Sequence, residues 1–487
     1  MRKFFGAMNI SLSSIYFVYV LFFLLLGHSA FTQSSLKREA LQEDFDYLIT
    51  QLRLQHQGLY NYVDRAVVDQ QIDSIRATLT QPMSLLDFYQ TVRYTAALTN
   101  EGHTEIDLPR RSEVKIGLSK SFLPLTVLFC DQTLVVTQNY GKAVSQLEKG
   151  MKILTINGQT VEAIVQRFLP LLPSDGFNET SKYKWLSGVS FALLYRLVYG
   201  KAKHFELSVQ AYDSPQPAKL RLDAIPYTRF KAKNANFPSK SFDYNQFTFK
   251  IIADSIAYLS VPDFGDDDMD YQAFYADAFK QIAQLNIEHL IMDMQANTGG
   301  TEGNENLLFS YLAQQPLQKY KKVTMLETPY RKNKDDEDYI EDQWQWKDSI
   351  AERGAFTLMS DYYSNLNYQA PEPDLIYDGK LYVLTSGLTF SGGAEFSSLV
   401  KMSDRGIFIG VETGGTYEGN VSGYSETIKL PNSKIKIDLP TVHFQINVEP
   451  KIRGRGILPD HTVPQRWEDY LNDRNAKLDF TLDLIQN

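Results

Sequence analysis

The stretch LYVLTSGLTFSGGAEFSSLVKMSDRGIFIGVETGGTYEG, residues 381–419, decides the fold of this chain. Its first apolar residues, Leu381 to Leu384, read as a buried strand that breaks at Thr385-Ser386-Gly387. After a small-residue turn, Ser391 stands just ahead of Gly392 and Gly393. Phe396, Leu399, Val400 and Met402 then recur at helical spacing. A serine between a strand and a helix start sits where free backbone N–H groups and the helix dipole favour negative charge. The two glycines let a substrate carbonyl approach the backbone closely. Read alone, the stretch favours a plainer role, a serine capping the helix, because Ser and Gly are common at helix starts.

The same strand–turn–helix grammar appears upstream. Leu290-Ile291-Met292 reads as a buried strand ending at Asp293. Met294-Gln295-Ala296-Asn297-Thr298-Gly299-Gly300 follows as a turn, and a helix is expected from about Asn304 to Gln314. Neither GxGxxG nor Gly-Lys-Ser/Thr is present, so this is not a dinucleotide or P-loop fingerprint. A third junction lies in AALTNEGHTEIDL. A helical segment ends at Thr99-Asn100 and an alternating one begins near Thr104-Glu105-Ile106, which leaves His103 at a helix-to-strand junction after Gly102.

Around these junctions the chain divides into a helical domain at 34–105, a mostly β module at 112–225 and an α/β core at 246–487. Leu41, Phe45, Leu48 and Leu52 fall at helical spacing, as do Val68, Ile72, Ile75 and Leu79, and Ser84 with Asp87 resembles a capping box. In the β module, residues 134–165 run strand, short helix at 143–147, Lys149-Gly150 turn, strand, Asn157-Gly158 turn and helix from Val161. That order resembles a PDZ domain with a helical insertion at about 168–200. The resemblance implies capture of an extended peptide by strand addition, with Ile116-Gly117-Leu118 in place of a carboxylate-binding loop. Residues 226–245 read as a linker, and 330–350 as a charged, solvated run. Asp266, Asp267, Asp268 and Asp270 lack the ligand spacing of a calcium loop and read as a solvated turn.

A net charge of -9 argues against a nucleic-acid partner. A single cysteine, Cys130, excludes an intrachain disulfide, and neither a metal nor another cofactor is expected. Arg2 and Lys3 precede an apolar run at 15–26, with small or polar residues after it, the pattern of a signal peptide over 1–33. The run is short against the roughly 20 residues of a membrane span, so the membrane is met only through that segment before cleavage. The expected location is exported, either periplasmic or at the cell surface.

The three junctions together offer a nucleophile, a base and backbone donors, the parts that acyl transfer needs. At this point the sequence resembles the tail-specific, or carboxyl-terminal-processing, serine peptidases, including the tricorn-core branch and the interphotoreceptor retinoid-binding modules. The glycine motif of that family resembles Asp-x-Arg-x-Asn-x-Gly-Gly, and here Asp293, Asn297, Gly299 and Gly300 match it while Gln295 replaces the Arg. Thr389-Phe390-Ser391 with Glu395 resembles the nucleophile motif, and Gly456-Ile457-Leu458-Pro459-Asp460 the terminal one. The resemblance implies a multidomain α/β fold with a crotonase/ClpP-like core.

The resemblance also implies which base to expect. In the processing branch a lysine follows the serine within a Gly-x-Gly-Glu-Thr-x-Gly-Lys segment. The matching segment 410–416 ends here on Thr416, which excludes that Ser–Lys dyad. In the tricorn-like branch a histidine serves, within a motif that Leu98-Thr99-Asn100-Glu101-Gly102-His103-Thr104 resembles. The expected catalytic pair is therefore Ser391 and His103, with an oxyanion hole from the backbone N–H of Gly392 and of Gly299 or Gly300. Glu101 and Glu412 are the candidate orienting acids, and the position of the family's late glutamate holds Arg453. The expected activity is that of a serine endopeptidase on an extended peptide or protein segment, falling below about pH 6 as His103 protonates. Two other readings stand beside it: a catalytically weak, chaperone-like peptide-binding module on the same scaffold, and a lipid or retinoid binder.

Overall fold

Leu41, Phe45, Leu48 and Leu52 form one face of helix α1 (Arg38–Gln55), and all four are fully buried. The computed structural model describes residues 35–142, 144, 146–232, 245–315, 317–326, 344–347, 350–353 and 371–487. The expected signal segment, most of the expected linker and most of the charged run lie outside them. Helix α2 (Arg65–Thr78) is capped by Asp64, and α3 (Leu85–Ala97) by Ser84, whose Oγ accepts from Asp87 N–H at 3.2 Å. The three helices share one apolar cluster with Ile428, Leu430, Ile435, Ile437 and Leu439, far along the chain. Asp44 bolts them there. It is fully buried, and its carboxylate accepts from Asn432 N–H at 2.6 Å and Ser433 N–H at 2.7 Å. Asp44→Ala orphans both donors, so it should lower unfolding free energy by about 3 kcal/mol in urea titration; a loss under about 0.5 kcal/mol, the scale of an ordinary surface change, would show that the bolt does not matter.

After the short strand β1 (Glu105–Asp107), a β module is built from β2 (Leu125–Cys130), β3 (Thr133–Asn139), β4 (Lys152–Ile156), β5 (His204–Gln210) and β6 (Ala218–Asp223), hydrogen-bonded in that order. Asn157 and Gly158 both take positive φ, 49° and 78°, as a two-residue hairpin turn requires. Helix α4 (Val161–Phe168) follows, and then the insertion with α5 (Thr180–Trp185) and α6 (Ser190–Tyr199).

Two expectations for this module are corrected. Ile116-Gly117-Leu118 is not a loop but the last turn of a helix, Arg110–Leu118, so its N–H groups are not presented to a carboxylate. The outer edge of β2 is not open to an added strand either. Val127 exchanges both backbone bonds with Gly188 (3.4 and 2.6 Å), and Phe129 N–H reaches Ser187 Oγ at 3.2 Å. The insertion fills the edge that strand addition would use.

The core carries β7 (Thr248–Ala253), β8 (Ile256–Ser260), helix α7 (Tyr271–Gln284), β9 (His289–Asp293), helix α8 (Asn304–Ser310), and in another sheet β10 (Tyr320–Leu326), β11 (Trp344–Lys347) and β12 (Ile350–Arg353). Then come β13 (Lys380–Thr385), helix α9 (Gly392–Met402), β14 (Gly406–Gly410), β15 (Gly419–Lys429), β16 (Lys436–Ile446), β17 (His461–Thr462) and a last helix α10 (Ala476–Gln486). One sheet runs β17-β14-β13-β9-β8-β7, parallel except at its β7 edge. Its strands are nearly continuous apolar runs because both faces are covered. Pairing Ser260↔Asp293, Asp293↔Leu384 and Thr385↔Gly410 brings the loops after four strands out level at the C-terminal edge, where open parallel sheets place their sites. The other sheet runs β1-β16-β10-β12-β11, with β15 against β16. Among the described residues, no helix is long and apolar enough to cross a membrane.

Candidate active site

The turn between β13 and α9 is fixed before Ser391 is reached. Thr389 Oγ1 donates to Met294 O at 2.8 Å, Phe390 N–H to Asn297 O at 2.9 Å, and Gly414 N–H to Thr389 O at 2.8 Å. These bonds tie the turn to the glycine turn after β9 and to the loop after β14. Ser391 is forced to φ 51° and ψ -126°, a backbone conformation that costs a non-glycine residue about 1–3 kcal/mol. Its hydroxyl makes no cap bond to α9. A capping serine sits at negative φ with its oxygen on the helix N–H groups; Ser391 does neither. The two glycines after it are packing requirements as well. A Cβ on Gly393 would lie 2.5 Å from Asn297 O and Oδ1.

The glycine turn lies against this hydroxyl. A Cβ on Gly299 would stand 3.0 Å from Ser391 Oγ and 2.6 Å from Gly392 N, so only glycine leaves the space empty. Its φ of 92° makes the same demand. Of the three proposed donors, Gly299 is spent: its N–H donates to Asn297 Oδ1 at 2.9 Å. The Gly300 N–H has no acceptor among the described residues, and Gly392 begins α9 with its own N–H unpaired by the helix. A Cβ on Gly392 would lie 3.7 Å from Gly300 N, so the two donors are neighbours.

His103 comes from the other side. Its ring stacks on Phe390, the residue before the serine, with centroids 4.6 Å apart and 28° between planes. Neither ring nitrogen has a hydrogen-bond partner among the described residues. Burial lowers its pKa to about 4, so the ring is neutral near pH 7, the state a proton acceptor needs.

The residue that sequence reasoning missed is Asp175, in the insertion of the β module. It is fully buried, and its Oδ1 accepts from Gly102 N–H at 2.7 Å while standing 4.0 Å from His103 Nδ1. One point, the place of a Cβ on Gly415, is 3.5 Å from Asp175 Oδ2 and 3.3 Å from Ser391 N. Nucleophile turn, histidine and aspartate therefore meet in one place. No motif in the sequence flags Asp175; the only available signal was an acid in a polar loop, Ser174-Asp175-Gly176, inside an apolar insertion.

Neither acid named from the sequence has an oxygen within 4.0 Å of a His103 ring nitrogen. Glu412 is committed to Arg455, which donates from Nε at 2.8 Å and Nη2 at 2.6 Å, and to Gly456 N–H at 2.8 Å. Glu101 is buried with Oε2 on the Val421 N–H at 2.9 Å, and burial holds its pKa well up. Thr416, at the place of the absent lysine, is buried and bonds to Gly419 O. Gln295, at the place of the family's Arg, joins Asp293 Oδ2 at 3.0 Å to the buried Lys477 of α10, whose Nζ reaches Gln295 Oε1 at 2.7 Å. An amine from another element stands there, bridged through the amide, and burial lowers its pKa to about 7.

A strained serine on a strand-to-helix turn, glycine donors beside its hydroxyl and a neutral histidine nearby are the parts that a serine-type peptidase site needs. Residues 255–463 match the family model described as "Peptidase family S41". The matched range holds Ser391 and both glycine turns, while His103 and Asp175 lie outside it. A "Putative Tricorn-like protease C-terminal subunit" of Sulfurisphaera tokodaii is 32% identical over 117 residues. That match takes in 24% of this chain and 13% of the relative's length. Among solved structures, mature CPAF superposes with a TM-score of 0.60 at 14% identity, over 91% of this chain and 95% of that one. The photosystem II D1 C-terminal processing protease gives 0.40 at 15% identity, over 87% and 93%.

Proposed function

We propose that the protein is an exported serine endopeptidase that works through an acyl-enzyme on Ser391 with His103 as general base. The observation that carries this reading is the backbone of Ser391, held at φ 51° with a hydroxyl that caps nothing and points over Gly299. In the reaction the His103 ring takes the Ser391 proton as Oγ attacks a peptide carbonyl carbon. The oxygen that gains charge is met by the N–H groups of Gly392 and Gly300. His103 then returns the proton to the leaving amine, the C–N bond breaks, and water releases the acyl group by the same steps in reverse order. Export is supported by the basic and apolar pattern over residues 1–33. An extended peptide remains the substrate of choice, and the filled β2 edge is not where it is held.

A fluorophosphonate probe tests the nucleophile directly. Wild type should become labelled on Ser391, and Ser391→Ala should not. A protein that binds unfolded peptide yet never reacts with the probe would instead be the chaperone-like module, and the peptidase reading would be lost.

A further inference from the structure

We propose that Asp175 is the positioning residue for His103, delivered to the active site by the insertion of the β module; this rests on the peptidase reading above. Unsatisfied groups of complementary chemistry lie on two side chains that approach each other, Asp175 Oδ1 standing 4.0 Å from His103 Nδ1. Asp175 Oδ2 and both His103 ring nitrogens are buried without a hydrogen-bond partner among the described residues. Nearly every buried polar group in a folded protein is paired, so such a coincidence calls for a cause. At 4.0 Å the Asp175–His103 approach is longer than a hydrogen bond, and the two groups must close to about 3 Å to make one. Contacts of this kind are commonly long without substrate and tighten when it binds. A carboxylate on Nδ1 fixes the tautomer that leaves Nε2 free to accept, and stabilises the imidazolium as it forms.

The backbone around Asp175 is fixed as a positioning role requires. Gly176 N–H donates to Asn100 O at 2.8 Å, three residues before His103, and Phe177 N–H donates to Gly454 O at 2.7 Å. Gly176 takes φ 57°, and a Cβ there would lie 2.2 Å from Gly454 O, so the approach is open to glycine alone. Asn178 Nδ2 donates to Thr413 O. Further on, Ser187 and Gly188 of the same insertion lock onto the edge of β2. The edge that would take a peptide instead clamps the segment that carries the acid.

Burial raises Asp175 to about 7, against the Gly102 bond that lowers it, and the Glu395 charge raises it further. The other groups that share this field are Glu101, Tyr62 and His103 itself. A group whose pKa is raised to about 7 loses its anion as pH falls through that value. Wild-type kcat/KM should therefore drop on acidification from about pH 7, well before His103 itself protonates.

The test uses the whole chain and two readouts. Asp175→Asn keeps an acceptor for the Gly102 N–H. It should cut kcat about 10²–10⁴-fold, with KM within about threefold, and should move the acid limb of the remaining activity to lower pH. Separately, 15N-histidine labelling, with His103 assigned by His103→Gln, should show a low-field Nδ1–H in wild type that Asp175→Asn abolishes. Unchanged kcat and an unchanged acid limb, with Ser391→Ala inactive, would overturn the Asp175 assignment and leave the peptidase reading intact. A wild type with neither activity nor probe labelling, yet with the His103 signal dependent on Asp175, would remove the peptidase reading and keep the pair. Should Asp175→Asn fail to fold, wild type alone decides: no low-field Nδ1–H on His103 from pH 7 to 9 rejects the proposal.

Discussion

Ser391→Ala should lower kcat/KM for an unstructured peptide by at least about 10⁴-fold, His103→Ala by a similar factor, and the double variant by no more than the worse single. In the proposed mechanism the proton that His103 accepts comes from Ser391, so removing either group removes the same step, and the losses do not multiply. What remains is the stabilisation offered by the Gly392 and Gly300 N–H groups and by binding. If the double variant loses the product of the two single factors, the residues act independently and the dyad is wrong. Thermal denaturation adds a check from the backbone. Ser391 pays for φ 51° without a compensating cap bond, so Ser391→Gly should be inactive yet more stable than wild type, by about 1 kcal/mol. An N-cap serine would behave in the opposite way, losing stability when truncated.

The parts of this site legible in the sequence were those encoded locally. A buried strand, a small-residue turn and an apolar-periodic helix placed Ser391 and the two glycine turns correctly, because each signal lies within about 20 residues. His103 was legible through the absence of a lysine at Thr416, its place at a helix-to-strand junction and the likeness of residues 98–104 to the histidine motif of the tricorn-like branch. What periodicity could not reveal were groups brought together by tertiary packing. Asp175 meets His103 because the insertion is hydrogen-bonded to Asn100, Thr413 and Gly454, three segments that nothing in the local pattern joins. Lys477 meets Gln295 because α10 returns across the sheet, a partner that nothing near Gln295 in the sequence reveals. Glu101 and Glu412 were chosen for nearness in sequence, and each turned out to serve a backbone N–H or an arginine. The β module shows the same limit from the other direction. Its strand order was readable, but whether an edge is free depends on what the rest of the chain lays against it.

The other large effect should come from a residue outside the reaction. Lys319 is fully buried, with Nζ 2.7 Å from Glu305 Oε1 and 2.6 Å from Glu395 Oε2. Gly303 N–H and Asn306 Nδ2 also bond to Glu305, and Tyr320 OH and Asn420 Nδ2 to Glu395. Burial alone would raise the Glu395 pKa, but Lys319 outweighs it and holds the carboxyl below its usual range. Lys319→Met leaves two carboxylates buried against each other without a cation, and should cost about 3–5 kcal/mol of unfolding free energy. Urea titration should show this as a lower midpoint at an unchanged slope. Adding Glu395→Gln to Lys319→Met removes one of the stranded charges and should restore part of the loss. That double variant also reaches the active site, because Glu395 lies one turn after Ser391 on α9 and its charge raises both Asp175 and His103. Without that charge both pKa values fall, so the acid limb of kcat/KM should shift to lower pH relative to wild type. A limb that stays in place while stability changes as expected would mean that the triad only supports α9 and does not set the charge state at His103.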